Sequence, residues 1–202
     1  MKDIMIDIET MGVKSNAAII EIAAVPFNIE TGETSDNIFH EYIDLQSSID
    51  SGMTCCASTI QFWSTQKRVL DGIEKPMEES VTDFEIYMLE LDNDINVWSN
   101  SPSFDLVILK SAFDIIKRPY PWKFWNERDL RTYRAMNNET NIEHVRTTER
   151  HNALLDCLDQ IEIIRKTQTY KTAYYRALGM CTKLENKNRG LKSYITRLKN
   201  KK

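Results

Sequence analysis

Asp7 and Glu9 stand two residues apart in the apolar run Ile4-Met5-Ile6-Asp7-Ile8-Glu9. Side chains on a strand alternate faces, so these two carboxylates point the same way. Burying carboxylates unpaired is costly, and like charges this close repel. The run holds no Lys or Arg to compensate them. A divalent cation is the natural counter-charge, and hard oxygen ligands suit Mg²⁺ or Mn²⁺ rather than Zn²⁺. On an edge strand the same pair could simply face solvent, so the reading depends on residues further along.

Asp105 falls in the first turn of a helix that follows a short strand. Sites in α/β sheets gather outside the carboxyl ends of strands, which would bring Asp105 beside Asp7 and Glu9 if the two strands are neighbours. A helix-start Asp also serves the helix dipole with no other role. His151 and Asp156 are five apart, roughly 500° around a helix, so they cannot converge if both are helical. Asn152 resolves this as an N-cap: the helix begins at Ala153, Asp156 is fixed on it, and His151 stays in the preceding loop. Four carboxylates and a histidine suit phosphodiester hydrolysis. Two divalent ions roughly 4 Å apart can clamp a phosphate, and a histidine titrating near neutrality can take the proton of an attacking water.

The elements that must position these groups follow from periodicity. Residues 3–9, 17–27 and 38–44 read as three strands of a β-meander, closed after β-strand one by Thr10-Met11-Gly12, where Gly12 permits a tight turn. A short helix is expected from about residue 57. Val81, Phe84, Tyr87, Met88 and Leu91 mark an amphipathic helix. Residues 95–98 read as a fourth strand, and Ser103 as the N-cap of the helix carrying Asp105. Residues 124–126 are a candidate fifth strand, with a helix over 129–136. A polar stretch, 137–150, precedes a helix over 153–167, with a further helical region from 170 onward. Strands first and helix–strand–helix after predict an α/β fold, a mixed five-stranded sheet flanked by helices.

The chain of 202 residues suits one domain with a sizeable core. Its net charge is −4, but the charge is uneven. Residues 183–202 carry eight Lys/Arg and one Glu, so an acidic body ends in a strongly basic tail. That pattern fits a metal-dependent enzyme that touches a polyanion, and equally a solvated tail. Four cysteines without C-x-x-C spacing read as reduced thiols in a cytoplasmic protein. No signal peptide or membrane span is expected, and neither a Walker A motif nor G-x-G-x-x-G occurs.

Asp7-Ile8-Glu9-Thr10, Phe104-Asp105 and His151-x4-Asp156 together resemble the three motifs of the DEDDh group of 3′-to-5′ exonucleases, over residues 1–168 in unbroken order. The likeness is closer to a branch of small phage exodeoxyribonucleases and mycobacterial-type exoribonucleases, with Trp125-Asn126-Glu127-Arg128-Asp129-Leu130-Arg131-Thr132 among the supporting stretches. The resemblance implies a ribonuclease-H-like fold and release of nucleoside 5′-monophosphates from single-stranded DNA or RNA 3′ ends. It implies Asp7, Glu9, Asp105 and Asp156 as ligands of two Mg²⁺ or Mn²⁺ ions, and His151 as general base. It puts Thr10 and Met11 where the group holds the 3′-terminal nucleotide. Phe104 and Trp63 become candidate surfaces for base stacking, core packing being the alternative. Arg128 or Arg131 could meet a phosphate, or pair with Asp129. The branch often has an acid where this chain has Leu155. Homodimers occur in the group, and a phage-encoded member would work in the host cytoplasm.

The chain is expected to divide into an exonuclease domain, 1–182, and a basic helical extension, 183–202, which lies beyond the resemblance. Leu184, Leu191 and Leu198 fall seven apart, hinting at a helix that docks on the body or on a partner. A basic face there could raise affinity for longer strands. The competing reading is a catalytically silent nuclease-fold protein that binds nucleic acid or recruits partners. A third is an endonuclease on the same fold.

Overall fold

A computed structural model describes residues 1–66, 73–137 and 151–199, with side chains to residue 196. The sheet is built on β1 (Asp3–Thr10), whose apolar run leaves no face for water. It pairs antiparallel with β2 (Ile19–Phe27), and β2 with β3 (Phe39–Ile43), completing the expected meander. After α1 (Leu45–Asp50) and α2 (Ala57–Thr65), the two-residue β4 (Glu74–Lys75) joins β3 in parallel. Then come α3 (Met77–Leu89), β5 (Asn96–Ser99), α4 (Asp105–Ile115), β6 (Glu127–Asp129) and α5 (Leu130–Met136). The chain closes on α6 (Ala153–Lys199). The strand order is β4-β3-β2-β1-β5-β6, with β5 and β6 parallel to β1.

Alternation along β1 assigns the two faces. Ile4, Ile6 and Ile8 point into a core shared with α3 and α4. Met5 points the other way, toward Trp98, Leu130, Cys157 and Ile161 under α5 and α6. Asp7 and Glu9 have the parity of Met5, so they look toward α6. Each aliphatic side chain taken fully from water contributes about 1.5–3 kcal/mol, which makes the register of β1 strongly specified.

Several expectations need correction. Among the described residues the sheet has six strands, not five. The added strand, Glu74-Lys75, is short and charged and has no hydrophobic pattern to announce it. Phe124–Asn126 is a turn of 3₁₀ helix with exposed Phe124 and Trp125, and the strand follows at Glu127–Asp129. Ser103 does not cap α4. Its hydroxyl pairs with that of Ser101, and Phe104 takes the cap position without a side-chain bond. The helices expected on either side of residues 167–170 are one helix. Thr167 and Thr169 return their hydroxyls to the carbonyls of Ile163 and Arg165, so α6 passes through without a break. The tail does not dock on the body: every residue from 172 to 196 is exposed. The polar stretch 138–150 lies outside the described residues.

Candidate active site

β1 delivers Asp7 and Glu9 to the carboxyl end of the sheet, where a register shift between Glu9 and Thr10 marks a bulge. Bulges of this kind re-aim side chains and terminate pairing. Opposite Asp7 on β2 lies Ala23, small enough to leave room for α6. Gly12 then turns the chain tightly. A Cβ there would meet the Ala17 side chain at 3.1 Å and the Thr54 carbonyl at 3.2 Å.

Asp156 reaches the same place from α6. Asn152 caps that helix as expected, its Oδ1 accepting the Leu155 N–H at 3.0 Å. His151 stays outside the helix with φ 65°, a left-handed conformation unusual for a residue with a side chain. Oxygens of Asp7, Glu9 and Asp156 all lie within 4.8 Å of one another. Asp105 opens α4 immediately beyond β5, next to β1.

The charges acting on Asp7 are negative. Burial, then repulsion from Asp105, Glu9 and Asp156, pushes the Asp7 carboxyl well above its ordinary range, and a 2.7 Å hydrogen bond from Gln160 Nε2 only partly offsets this. Burial likewise raises Asp105 to about 7, against the backbone N–H groups of Asp105 and Ile8 and the charge of Arg131. Asp156 is raised mainly by burial, with His151 acting in the opposite direction. Three carboxyls disfavoured in their ionised form, all hard oxygen donors, make a donor set fitted to divalent cations.

His151 is framed by aromatics. Phe62 meets its ring edge-on at 4.7 Å between centroids, and Trp63 at 6.0 Å. Trp63 also donates its indole N–H to the Thr10 carbonyl at 2.9 Å, tying α2 to the end of β1. Trp63 is thus half-buried against the core as well as beside the site. Phe104 is half-buried against the same core. The Thr10 hydroxyl bonds the Gly12 carbonyl, and the backbone of buried Met11 is paired on both sides, to Ala18 and Cys56. A cavity of about 300 Å³ opens beside them, lined by Gly12, Val13, Lys14, Asn16, Thr54, Cys55 and Cys56. Arg128 directs its guanidinium to the carbonyls of Trp125 and Glu127. It does not pair with Asp129, whose carboxylate caps α5 at Arg131 N–H and holds the Thr132 hydroxyl. Among the described residues, the charge of Arg131 acts on Asp105.

Two residues of the site escaped the sequence reading. Glu21 lies opposite Glu9 on β2 and is fully buried. Its Oε1 accepts the Ala153 N–H at 2.9 Å and meets His40 Nε2 at 2.9 Å. The signal was a single acid inside the apolar run 17–27. Gln160 lies four residues beyond Asp156 on the same face of α6, and that spacing was the available sign.

Residues 2–168 match the profile of the 3'-5' exoribonuclease Rv2179c-like domain. The chain belongs to this family. It is therefore a 3′-to-5′ exonuclease, a phosphodiester hydrolase, with the ribonuclease-H-like fold. The "Exodeoxyribonuclease" of Enterobacteria phage T4 is 29% identical over 160 residues, covering 65% of this chain and 70% of the phage protein. Among solved structures, a chain of the ExoI/SSB-Ct complex superposes with a TM-score of 0.62 at 12% identity. That match covers 88% of this chain and 43% of the other, so the chain spans under half of that relative. Pop2p of S. pombe, in its Mg²⁺- and Mn²⁺-bound form, gives 0.52 at 13% identity over 83% of both chains.

Proposed function

We propose that the chain is a Mg²⁺- or Mn²⁺-dependent exonuclease that removes nucleoside 5′-monophosphates from the 3′ ends of single-stranded DNA or RNA. The observation that carries this is the convergence of Asp7, Glu9 and Asp156 within 4.8 Å, in the field of Asp105. Asp7, Glu9, Asp105 and Asp156 would hold two divalent ions, as the metal-bound form of Pop2p encourages. When bound, such a pair stabilises negative charge developing on the scissile phosphate.

The protein's own groups do the rest. His151 takes the proton of the attacking water, its ring held edge-on by Phe62 and Trp63. Gln160 fixes the orientation of the Asp7 carboxylate. Exposed Arg131, rather than Arg128, is the phosphate contact, because it lies in the field of Asp105 while Arg128 is engaged by carbonyls. Thr10 and Met11 form the floor beneath the terminal nucleotide beside the 300 Å³ cavity. Phe104 and Trp63, each half-buried against the core, are the surfaces offered for base stacking.

The family profile is described for RNA and the phage relative for DNA, so either sugar is a substrate to test. No described helix is long and apolar enough to cross a membrane. The phage relative and four free thiols support a host-cell cytoplasm as the working compartment. Residues 1–182 are proposed as the exonuclease domain and 183–202 as a basic extension. The test is calorimetric titration with Mg²⁺ or Mn²⁺, paired with chromatography of the products. Divalent binding that vanishes in Asp7→Asn, with 5′-monophosphates as the only small products, supports the reading. Equal binding by both proteins, or oligonucleotide products, would overturn it.

A further inference from the structure

The distal half of α6 takes no part in the site. Over residues 170–196 it extends about 40 Å, and every residue from 172 to 196 is exposed. Such a helix lacks support of its own. Gly179 and Gly190 lie within it with open space around them, and each weakens a helix interior relative to Ala. Most helical stability in proteins comes from packing one face, and from residue 172 to 196 the body covers none of this one.

The sequence supplies a face. Tyr170, Ala177, Leu184 and Leu191 recur every seven residues, and Leu198 continues the row in the sequence. Tyr174, Cys181, Asn188 and Ile195 form a second row of the same period, offset to give alternating spacings of four and three. These are the d and a positions of a heptad repeat sustained over four heptads. The larger members stand half or more exposed: Tyr170 68%, Leu184 59%, Leu191 51% and Ile195 50%. We propose that this stripe is the seam of a parallel, two-stranded coiled coil formed with a second copy of this chain.

Asn188 selects that occupant. Its amide offers both donor and acceptor, so in a parallel in-register pair it meets its own copy and is satisfied. A single Asn at an a position, with Leu at d, favours two strands in fixed register. A second copy brings the matching Asn and Leu rows by symmetry, whereas an unrelated helix would have to supply both. Lys183 and Arg189 fall at c and b, facing away from the seam. Lys187 at g faces Lys192 at e of the copy, a like-charge pair at the solvent edge. Repulsion between the two basic tails means the dimer should tighten with added salt, the reverse of a contact made by ion pairs.

Sedimentation equilibrium of the full-length protein from about 1 to 100 µM, in low and high salt, tests the proposal. The expected species has twice the chain mass and is strengthened by salt. The double substitution Leu184→Lys, Leu191→Lys should yield monomer. Tryptophan emission should stay unchanged, because all four tryptophans precede α6. Register is read by diamide oxidation. Two Cys181 thiols give two electrons and two protons to diamide, which becomes the hydrazine, and a disulfide forms between the copies. Facing a positions bring the Cα atoms within the bridging range of about 4.4–6.8 Å. The cross-link should vanish in Cys181→Ser. A monomer at every concentration, or a dimer that survives the double lysine substitution, would overturn the proposal. So would a dimer in which Cys181 does not cross-link.

Discussion

Glu21 Oε1 accepts the N–H of Ala153 at 2.9 Å, which fastens the middle of the sheet to the first residue of α6. His151 and Asp156 lie within three residues of that bond on either side. Glu21→Ala leaves a buried helix N–H unpaired, costing about 1–3 kcal/mol at roughly 2–4 °C of melting temperature per kcal/mol. It should also lower kcat, because the proposed catalytic residues His151 and Asp156 lose their anchor. Glu21→Gln keeps an acceptor oxygen and should recover most of both. Melting curves and steady-state rates on the two variants check this. Equal losses in both would mean that charge, not the hydrogen bond, is what matters.

Asp7→Asn should move activity and stability in opposite directions. Activity should fall by at least about 10²-fold, the scale for removing one preorganised electrostatic contact. The metal-free protein should melt several degrees higher at pH 8, since burial and three neighbouring acids disfavour the ionised Asp7. Differential scanning fluorimetry in EDTA measures the second effect.

The same cluster sets a pH dependence. Asp105 titrates near 7 in the folded chain, against about 3.9 unfolded. Between those values the folded state binds the extra proton, so stability is greatest below about pH 4 for this group and declines as pH rises toward 7. Asp7, also raised, acts in the same sense. Chemical denaturation of metal-free protein should therefore give a lower unfolding free energy at pH 8 than at pH 5. Added Mg²⁺ or Mn²⁺ should stabilise more at pH 8, where the carboxylates are ionised without competition from protons.

Much of this arrangement is legible in the sequence. Strands β1 and β2 are announced by long apolar runs and β3 by alternation, and the convergence of Asp7, Glu9 and Asp156 by residue type and spacing. Asn152 as a cap with His151 outside the helix is a local signal, and the hydrogen bond to Leu155 bears it out. Where the reading fails, tertiary pairing overrides local pattern. Glu74-Lys75 is a strand because the backbone of Tyr42 and Ile43 offers it a ladder. Phe124 and Trp125 have strand-like side chains, yet the adjacent charged Glu127-Arg128-Asp129 pairs with Val97-Trp98-Ser99. Glu21 and Gln160 act across 132 and 153 residues of sequence, a separation no local window spans.

His151→Ala should reduce kcat by about 10²–10⁴, the range for a general acid–base group, while divalent binding measured by calorimetry stays near wild type. Trp63→Phe removes the indole N–H bond to Thr10 but keeps a ring against His151. It should therefore cost far less. Comparable losses in the two variants would shift the weight from His151 to the α2 packing.

Truncation after residue 182 removes eight positive charges and one negative. If the tail neutralises phosphates, its removal should flatten the salt dependence of binding to single strands, with a slope change of about 0.7 per phosphate. Affinity for strands long enough to reach the tail should fall, with little change for short ones. Fluorescence anisotropy across a salt series measures this, and an unchanged slope would remove nucleic-acid binding from the role of the tail.

The most direct test of the account follows 5′-labelled single-stranded RNA and DNA of matched sequence, with Mg²⁺ or Mn²⁺, beside EDTA and Asp7→Asn controls. The account predicts ladders that shorten from the 3′ end only in the metal-containing wild-type reactions. The faster ladder then identifies the preferred sugar. Strands that are bound yet remain intact, or ladders that persist in EDTA, would contradict it.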